Sequence, residues 1–167
     1  FYKFADEDEN REMYEYAKKV FEDNGYEQYE ISNFCLPGYH SRHNTIYWRL
    51  EDYLGIGPGA HSCMGGHRFY YPRHLAGFIT NPVKIQDGIA DADDYIMLSL
   101  RLKDGLDFSA LKTRYNLVPN SYVKRKLEIY AKQGFVTYDG NTVNLTPTGF
   151  LAENVIASDI MSNVESV

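Results

Sequence analysis

The sequence is poor in cysteine, in positive charge and in long apolar runs, and each shortage excludes a class of protein. Two cysteines, Cys35 and Cys63, are too few for a disulfide framework, and no Cys-x-x-Cys pair occurs. Lysine and arginine number 17 against 23 acidic residues, and the net charge of −6 argues against general nucleic-acid binding. No apolar run is long enough to span a membrane, and no signal-peptide core occurs. We therefore expect a cytoplasmic protein without a membrane span.

What the sequence does contain is the composition of a soluble globular protein. Its 167 residues suffice for one ordinary domain or two small ones, and 44% are hydrophobic while 24% are charged. Aromatic residues make up 15% of the chain, which favours a core and any cleft lined with flat rings. Because the chain begins at Phe1 rather than at methionine, we expect it to be a piece of a longer protein.

The first half alternates between helix and strand patterns. Apolar residues recur at helical spacing over residues 6–24, and Gly25 is suited to end that helix. A strand is predicted over residues 26–31, a short helix over residues 43–50 and a short apolar strand over residues 52–57. Helix, glycine and strand in this order are typical of an α/β sheet or barrel.

The second half consists mostly of helix patterns. They cover residues 91–102, 110–115 and 121–133, with a last helix capped by Thr146 or Thr148 that ends at Ile160. Before the last helix, Asp139-Gly140-Asn141 predicts a hairpin turn. This order is typical of a winged-helix module, so we predict one domain at residues 1–82 and a second at residues 83–167.

A winged-helix module raises the alternative of DNA binding. The predicted third helix carries four basic residues, Lys124, Arg125, Lys126 and Lys132. The adjacent hairpin, however, has an acidic tip and no lysine or arginine, and the net charge is negative. A structural or protein-docking role is therefore favoured over a DNA-binding role.

Residues 38–62 combine histidines, an arginine, an asparagine and the single tryptophan with a glycine-rich turn. The turn GIGPGA, residues 55–60, can bring backbone N–H groups close to a ligand. It is not a Walker loop, because no lysine follows it, and its spacing differs from a dinucleotide fingerprint. A tight turn at the end of a barrel strand explains it equally well.

The histidines in this segment offer alternatives. His40 and His43 are three positions apart, but no cysteine, aspartate or glutamate completes a convincing zinc ligand set. With Tyr47 and Trp48 beside it, His43 is favoured as an axial iron ligand or a polar contact for a macrocycle. A capping or core-edge histidine remains the alternative.

Two carboxylates lie on the predicted strand at residues 26–31. Glu27 and Glu30 are an odd number of positions apart, so on one strand they face opposite ways and cannot act as a pair. Glu30 is the better site candidate, because it stands at the carboxyl end of the strand, where α/β sites usually lie.

Several longer motifs carry a resemblance to a known family. They are YEQYEISNF, PGYHSRHNTIYW and EDYLGIGPGAHS in the first half, and LRLKDGLDFSALKTRY, KLEIYAKQGFV and NTVNLTPTGF in the second. In these motifs the chain resembles the oxygen-independent coproporphyrinogen III oxidase-like proteins of the radical SAM superfamily. The RHNTIYW segment, residues 42–48, resembles the haem-chaperone branch more than the oxidases.

The resemblance implies an α/β fold, α+β overall. The C-terminal strands and helices of a partial β/α radical SAM barrel would be followed by a helical winged-helix-like domain. It also implies haem, S-adenosylmethionine (SAM) and a [4Fe–4S] cluster in the full-length protein. The family's Cys-x3-Cys-x2-Cys cluster loop is absent from this sequence, so we expect the chain alone to be inactive.

The resemblance assigns binding residues but no catalytic residue. The residues expected to contact haem are Arg42, His43, Asn44, Tyr47 and Trp48. Among them, His43 is the candidate ligand of the haem iron, and on physical grounds Arg42 can pair with a propionate. The residues expected to line the SAM and substrate cleft are Gly57, Gly59, Ala60 and His61. Cys35 receives no role.

The favoured function is a haem chaperone that binds haem and delivers it to acceptor proteins. The alternative is an oxygen-independent coproporphyrinogen III oxidase, which oxidatively decarboxylates porphyrinogen propionates. The expected partners are haem or porphyrin and a haem-acceptor protein, without nucleic acid. Because a truncated barrel exposes strand edges, a homodimer is also predicted.

Overall fold

A computed structural model describes residues 4–167, and Phe1 lies outside the described residues. The helices are α1 (Glu7–Asp23), α2 (Arg42–Trp48), α3 (Leu75–Thr80), α4 (Ala92–Leu100), α5 (Phe108–Tyr115), α6 (Ser121–Lys132), α7 (Pro147–Phe150) and α8 (Glu153–Met161). The strands are β1 (Glu27–Gln28), β2 (Phe34–Cys35), β3 (His61–Met64), β4 (His67–Tyr70), β5 (Ile85–Ile89), β6 (Leu106–Asp107), β7 (Leu117–Pro119), β8 (Val136–Tyr138), β9 (Thr142–Leu145) and β10 (Val164–Ser166). This mixture confirms the α+β class.

The described residues divide into two compact units, one ending at Ser41 and one running from Arg42 to Val167. The predicted domain boundary between residues 82 and 83 was drawn from sequence patterns, and it stays a prediction. Within residues 4–167 every strand pair is antiparallel, so these residues by themselves form no parallel β/α unit. Over the same residues, no helix has the length and apolar character of a membrane span.

The first unit consists of α1 and a small hairpin. The predicted helix begins as expected, because the Asp6 carboxylate accepts a hydrogen bond from the Glu9 N–H at 3.0 Å and the Glu9 carboxylate accepts one from the Asp6 N–H. The predicted strand at residues 26–31 shrinks to β1, which pairs with β2. Its remainder turns, and the Tyr29 N–H bonds the Asn33 carbonyl at 3.2 Å.

The second unit begins with α2 and a meander in the order β3-β4-β5. The strand predicted at residues 52–57 is wrong, since only Tyr53 forms a bridge there, with Cys63. Gly57 and Gly59 have φ angles of 106° and 77°, and a strand cannot continue through such a backbone. The extended segment therefore begins later, at β3.

The main core lies in the C-terminal part of the second unit. Helices α4, α5, α6 and α8 enclose a sheet in the order β6-β9-β8. The fully buried hydrophobic residues of this core are Ile96, Leu100, Leu106, Leu111, Val123, Leu127, Val143, Ile156 and Ile160. The predicted hairpin is confirmed, with the Asp139 carboxylate accepting hydrogen bonds from the Asn141 and Thr142 N–H groups at 2.8 and 2.7 Å.

The single helix predicted at the C-terminal end is wrong, because it divides into α7 and α8. The Thr146 hydroxyl accepts a hydrogen bond from the Gly149 N–H at 3.0 Å, which caps α7 as expected. The backbone then leaves helical geometry at Ala152, where φ is −112° and ψ is 13°. The helical pattern in the sequence runs through this break and does not reveal it.

A charged group joins α6 to α8. Asp159 accepts hydrogen bonds from the Lys126 ammonium at 2.7 Å and from the Tyr130 hydroxyl at 2.5 Å. Burial by itself raises the pKa of Asp159, but these hydrogen bonds outweigh it and the pKa of the carboxyl lies below its ordinary value. Lys126, a candidate DNA contact, is therefore engaged in an ion pair within the chain.

We expect Asp159→Asn to lower the free energy of unfolding by about 2 kcal/mol at neutral pH, because charge-assisted hydrogen bonds are lost. The depressed pKa means that the wild-type advantage is present above the ordinary value of 3.8 and is lost as the pH falls through the folded-state pKa. Urea denaturation of the wild type and Asp159→Asn at neutral pH and at pH ~3 measures this difference.

The control is Asp104→Asn, which removes an exposed ion pair with Arg49 and should lower the free energy of unfolding by less than about 1 kcal/mol. Equal losses for Asp159→Asn at both pH values would contradict the assignment.

Candidate functional site

Helix α2 carries the residues that were expected to contact haem. Arg42 and His43 are exposed, whereas Asn44, Tyr47 and Trp48 are half-buried. Helical spacing puts His43 over Tyr47, and their rings meet edge to face with centroids 4.8 Å apart. The His43 Nε2 and Tyr47 hydroxyl lie 3.1 Å apart, within hydrogen-bonding distance. The helix therefore presents one imidazole to solvent beside a phenol ring.

Trp48 faces the interior side of the same helix. The Arg101 guanidinium lies over its ring, 4.9 Å from the centroid, which is a cation–π geometry. The indole Nε1 is inaccessible to solvent and has no hydrogen-bond partner among the described residues. Arg101 also lies 3.6 Å from the Glu153 carboxylate, whose pKa is raised by burial and partly lowered again by this arginine. These contacts make Trp48 an anchor of α2, so any haem contact at this ring would compete with Arg101.

A second arginine holds the C-terminal end of α2. The Arg114 guanidinium donates hydrogen bonds to the Arg49 and Leu50 carbonyls at 3.0 and 3.1 Å. A cation at this end of a helix also complements the helix dipole. Leu50 has a φ of 51°, so the chain turns sharply just after the helix. No local pattern identifies Arg114, which lies 64 positions beyond Leu50.

The glycine-rich turn uses its backbone inside the fold. The Gly59 N–H donates to the Tyr71 carbonyl at 2.8 Å, and the Ala60 N–H donates to the Gly57 carbonyl at 3.3 Å. A Cβ at Gly59 would lie 2.7 Å from the Arg73 side chain. These contacts favour the tight-turn alternative at Gly59 and Ala60, and a ligand role of the turn stays a prediction.

His61 begins β3 next to this turn. Its ring stacks on its cross-strand partner Tyr70, with centroids 4.9 Å apart, and its Nδ1 lies 3.4 Å from the Asp87 carboxylate. The imidazole is exposed, so it remains accessible to a ligand. Its role at a SAM or substrate cleft stays a prediction.

Tyr53 connects α2 to the strands. Its ring lies edge to face with Tyr47, 4.4 Å between centroids, and its backbone pairs with Cys63 through two hydrogen bonds. A cavity of about 130 Å³ lies between these residues and Arg68. Pockets for drug-sized ligands are typically larger than about 300 Å³, so this cavity is too small to enclose a haem. Burial raises the pKa of the Cys63 thiol, which disfavours the thiolate form.

The donor set of the chain does not fit a [4Fe–4S] cluster. Such clusters are held by several cysteine thiolates, and this sequence has two cysteines. Cys35 belongs to the first compact unit and Cys63 to the second. These residues by themselves therefore cannot hold such a cluster.

Glu30, the carboxylate favoured from sequence, is fully buried in the first unit. Its Oε1 accepts hydrogen bonds from the Ser32 N–H at 2.9 Å and from the Asn33 amide. Its Oε2 has no hydrogen-bond partner within residues 4–167. The first two contacts give this side chain a structural role at the turn.

No cysteine, aspartate or glutamate was expected from the sequence to complete a zinc ligand set around His40 and His43, but the fold brings two such residues to His40. Glu27 and Cys35 lie beside it, and the potential ligand atoms of the three residues all lie within 4.8 Å of one another. The sequence concealed this set because the hairpin brings together residues that are as much as 13 positions apart.

Comparison with known proteins shows what this chain and its fold are similar to. Residues 90–152 match the family model of the HemN C-terminal domain. In structure, 93% of the chain superposes on 42% of coproporphyrinogen III oxidase (HemN) from Escherichia coli, described as a radical SAM enzyme, with a TM-score of 0.65 and 18% sequence identity. Residues 90–152 are therefore similar to a HemN C-terminal domain, and the chain shares the fold of the matched part of the Escherichia coli protein.

The curated relatives that match most of this chain are named as haem chaperones. The heme chaperone HemW of Lactococcus lactis is 28% identical over 166 residues, which are 95% of this chain and 44% of the relative. The heme chaperone HemW of Bacillus subtilis is 29% identical over 162 residues, covering 90% of this chain and 42% of the relative. Mouse radical S-adenosyl methionine domain-containing protein 1, mitochondrial, is 48% identical over 67 residues, 37% of this chain and 15% of that protein. The chain thus spans less than half the length of these relatives.

Proposed function

We propose that this chain supplies the haem-contacting surface of a haem chaperone, which binds haem and passes it to an acceptor protein. The observation that carries the proposal is the exposed His43 imidazole beside Tyr47 on α2. Arg101 and Arg114 hold the helix through other contacts, so the imidazole stands on a supported element. The names of relatives that match 90% or more of the chain support the same function.

The chemistry of α2 suits a cargo that must be bound and released. Imidazole nitrogen is an established ligand of haem iron. Because the Tyr47 hydroxyl lies 3.1 Å from His43 Nε2, iron binding at that atom would displace this hydrogen bond. Arg42 is exposed at the start of the helix and its guanidinium can pair with a propionate. A haem held on an open surface is accessible to an acceptor, as delivery requires.

The remaining assignments belong to the whole protein. SAM and an iron–sulfur cluster would be held by its radical SAM portion, with Gly57, Gly59, Ala60 and His61 near the SAM and substrate cleft. Residues 1–82 would complete that portion and residues 83–167 would form the C-terminal domain. A cytoplasmic location, a haem-acceptor protein and a homodimer remain parts of the proposal.

Haem titration of the chain, followed by visible absorption, tests the role of His43. We expect His43→Ala to weaken haem affinity at least about tenfold, equivalent to about 1.4 kcal/mol, and to change the Soret spectrum. Tyr47→Phe removes the competing hydrogen bond and should leave affinity unchanged or raise it by less than about tenfold. His67→Ala, at an exposed histidine on β4, is the matched control and should bind as wild type does.

If His43→Ala has the haem affinity and Soret spectrum of the wild type, the assignment of His43 as axial ligand is wrong. If His67→Ala loses haem binding and His43→Ala does not, the haem site lies on the β3-β4-β5 meander and not on α2. Circular dichroism of each variant verifies that the changes do not arise from unfolding.

The alternative function is coproporphyrinogen III oxidation, the activity for which the Escherichia coli HemN protein is named. At 18% identity that likeness concerns the fold alone. An anaerobic assay of a form extended by a cluster-binding segment, with SAM and coproporphyrinogen III, separates the two functions. Decarboxylated product would favour the oxidase, whereas haem transfer to an acceptor without product would favour the chaperone.

A further inference from the structure

We propose that Glu27, Cys35 and His40 form a binding site for a zinc-type divalent cation. Their potential ligand atoms, a carboxylate oxygen, a thiol sulfur and an imidazole nitrogen, all lie within 4.8 Å of one another. The His40 Nε2 and the Glu27 Oε1 are already 3.0 Å apart. The site lies in the first compact unit and shares no residue with α2, so it is independent of the proposed haem surface.

The hairpin register accounts for the first two ligands. Glu27 on β1 is the direct partner of Cys35 on β2. Side chains of directly opposed residues in an antiparallel pair lie on the same face, with their Cβ atoms about 5 Å apart. The thiol is buried and the carboxylate is half-buried, so the pair forms the inner wall of the site.

A turn after β2 brings in the third ligand. The Tyr39 N–H bonds the Leu36 carbonyl at 2.9 Å, and Gly38 adopts a φ of 83°, which reverses the chain. The His40 ring then stacks on the buried ring of Tyr29, with centroids 4.9 Å apart and planes at 14°. This stacking orients the imidazole, as a supporting contact must do for a preorganised metal ligand.

The donor set selects the kind of cation. Thiolate, imidazole and carboxylate together suit Zn²⁺, whereas Mg²⁺ and Ca²⁺ prefer oxygen ligands alone. With a thiolate, a carboxylate and a neutral imidazole, a bound Zn²⁺ leaves no net charge in the site. Zinc bonds of about 2.0–2.3 Å put neighbouring tetrahedral ligands about 3.5 Å apart. The three side chains would therefore close by at most about 1.3 Å on the longest separation.

Three protein ligands leave one tetrahedral position for water or another ligand. His40 is exposed, so the site is open to solvent on the side of this residue. The alternative interpretation of this geometry is a plain Glu27–His40 ion pair beside a structural thiol. The two differ in whether the sulfur enters the coordination sphere of an added metal.

Titration of the reduced chain with Co²⁺ distinguishes these alternatives, because cobalt bound by thiolate gives a charge-transfer band in the near ultraviolet. We expect the band to appear with wild type and to disappear when Zn²⁺ is added. Cys35→Ser should abolish the band, and His40→Gln or Glu27→Gln should weaken Co²⁺ affinity at least about tenfold. The control Cys63→Ser, at the chain's other buried cysteine, should keep the band, as should His43→Ala.

The near-isosteric Glu27→Gln variant keeps the test valid if a cysteine or histidine variant misfolds, and circular dichroism identifies any that do. Absence of a charge-transfer band in folded wild type would overturn the proposal. So would a band that survives Cys35→Ser or vanishes with Cys63→Ser. The cobalt band does not depend on haem binding, so a loss of haem binding in His43→Ala would not change it. The haem and zinc proposals are therefore tested independently.

Discussion

Gly105→Ala is expected to lower the free energy of unfolding by about 3–5 kcal/mol. Gly105 lies between α4 and β6 with a φ of 72°, a conformation that costs an alanine about 1–2 kcal/mol. A Cβ there would also lie 2.2 Å from the Val143 carbonyl oxygen, which is backbone of β9 and cannot move aside freely. The clash would push β6 away from its partner strand. Urea denaturation followed by circular dichroism measures the loss.

Gly134→Ala is the matched control for the clash. Gly134 follows α6 with a φ of 79°, but no atom within residues 4–167 lies closer than 4 Å to the position its Cβ would take. This variant therefore has the backbone strain without the collision, and we expect a loss of about 1–2 kcal/mol. If Gly105→Ala and Gly134→Ala lower the free energy of unfolding equally, the contact with Val143 does not contribute to the loss.

Leu127→Ala is expected to lower the free energy of unfolding by about 3–4 kcal/mol. Leu127 is 0% exposed at the centre of α6, within the core formed by α4, α5, α8 and the β6-β9-β8 sheet. Removing its side chain loses apolar burial and leaves a cavity that rigid neighbours fill only in part. Thermal and urea unfolding should show the loss as a lower midpoint.

The control on the same helix is Ile129→Ala. Ile129 is 51% exposed, so its truncation removes little buried surface and should cost less than about 1 kcal/mol. Losses of the same size at both positions would show that burial in the core does not account for the effect of Leu127→Ala, since alanine has a higher helix propensity than either residue.

Sequence reasoning succeeded where the determining contacts are local. Helix α1 begins at its Asp6–Glu9 capping box, and the β8–β9 hairpin turns at Asp139-Gly140-Asn141. Both signals involve hydrogen bonds between residues two or three positions apart. Such contacts depend on residue type and spacing, which the sequence contains directly.

It failed where a segment's conformation depends on its neighbours. Residues 52–57 have the apolar character of a strand, yet only Tyr53 pairs there, and the chain turns at residues 57–59, where Gly57 and Gly59 have positive φ angles. The last predicted helix breaks at Ala152, although its apolar spacing continues. Short apolar segments carry too little pattern to exclude either conformation.

The sequence alone indicated the resemblance to HemN-like proteins, most helices and the β8–β9 hairpin. It also placed His43 and Tyr47 four positions apart, where side chains on a helix are neighbours. Tertiary structure alone decided that Arg114 holds the end of α2 and that Glu27, Cys35 and His40 come together. These contacts join residues separated by turns and by whole elements. Their geometry depends on the path of the intervening backbone, which residue spacing does not specify.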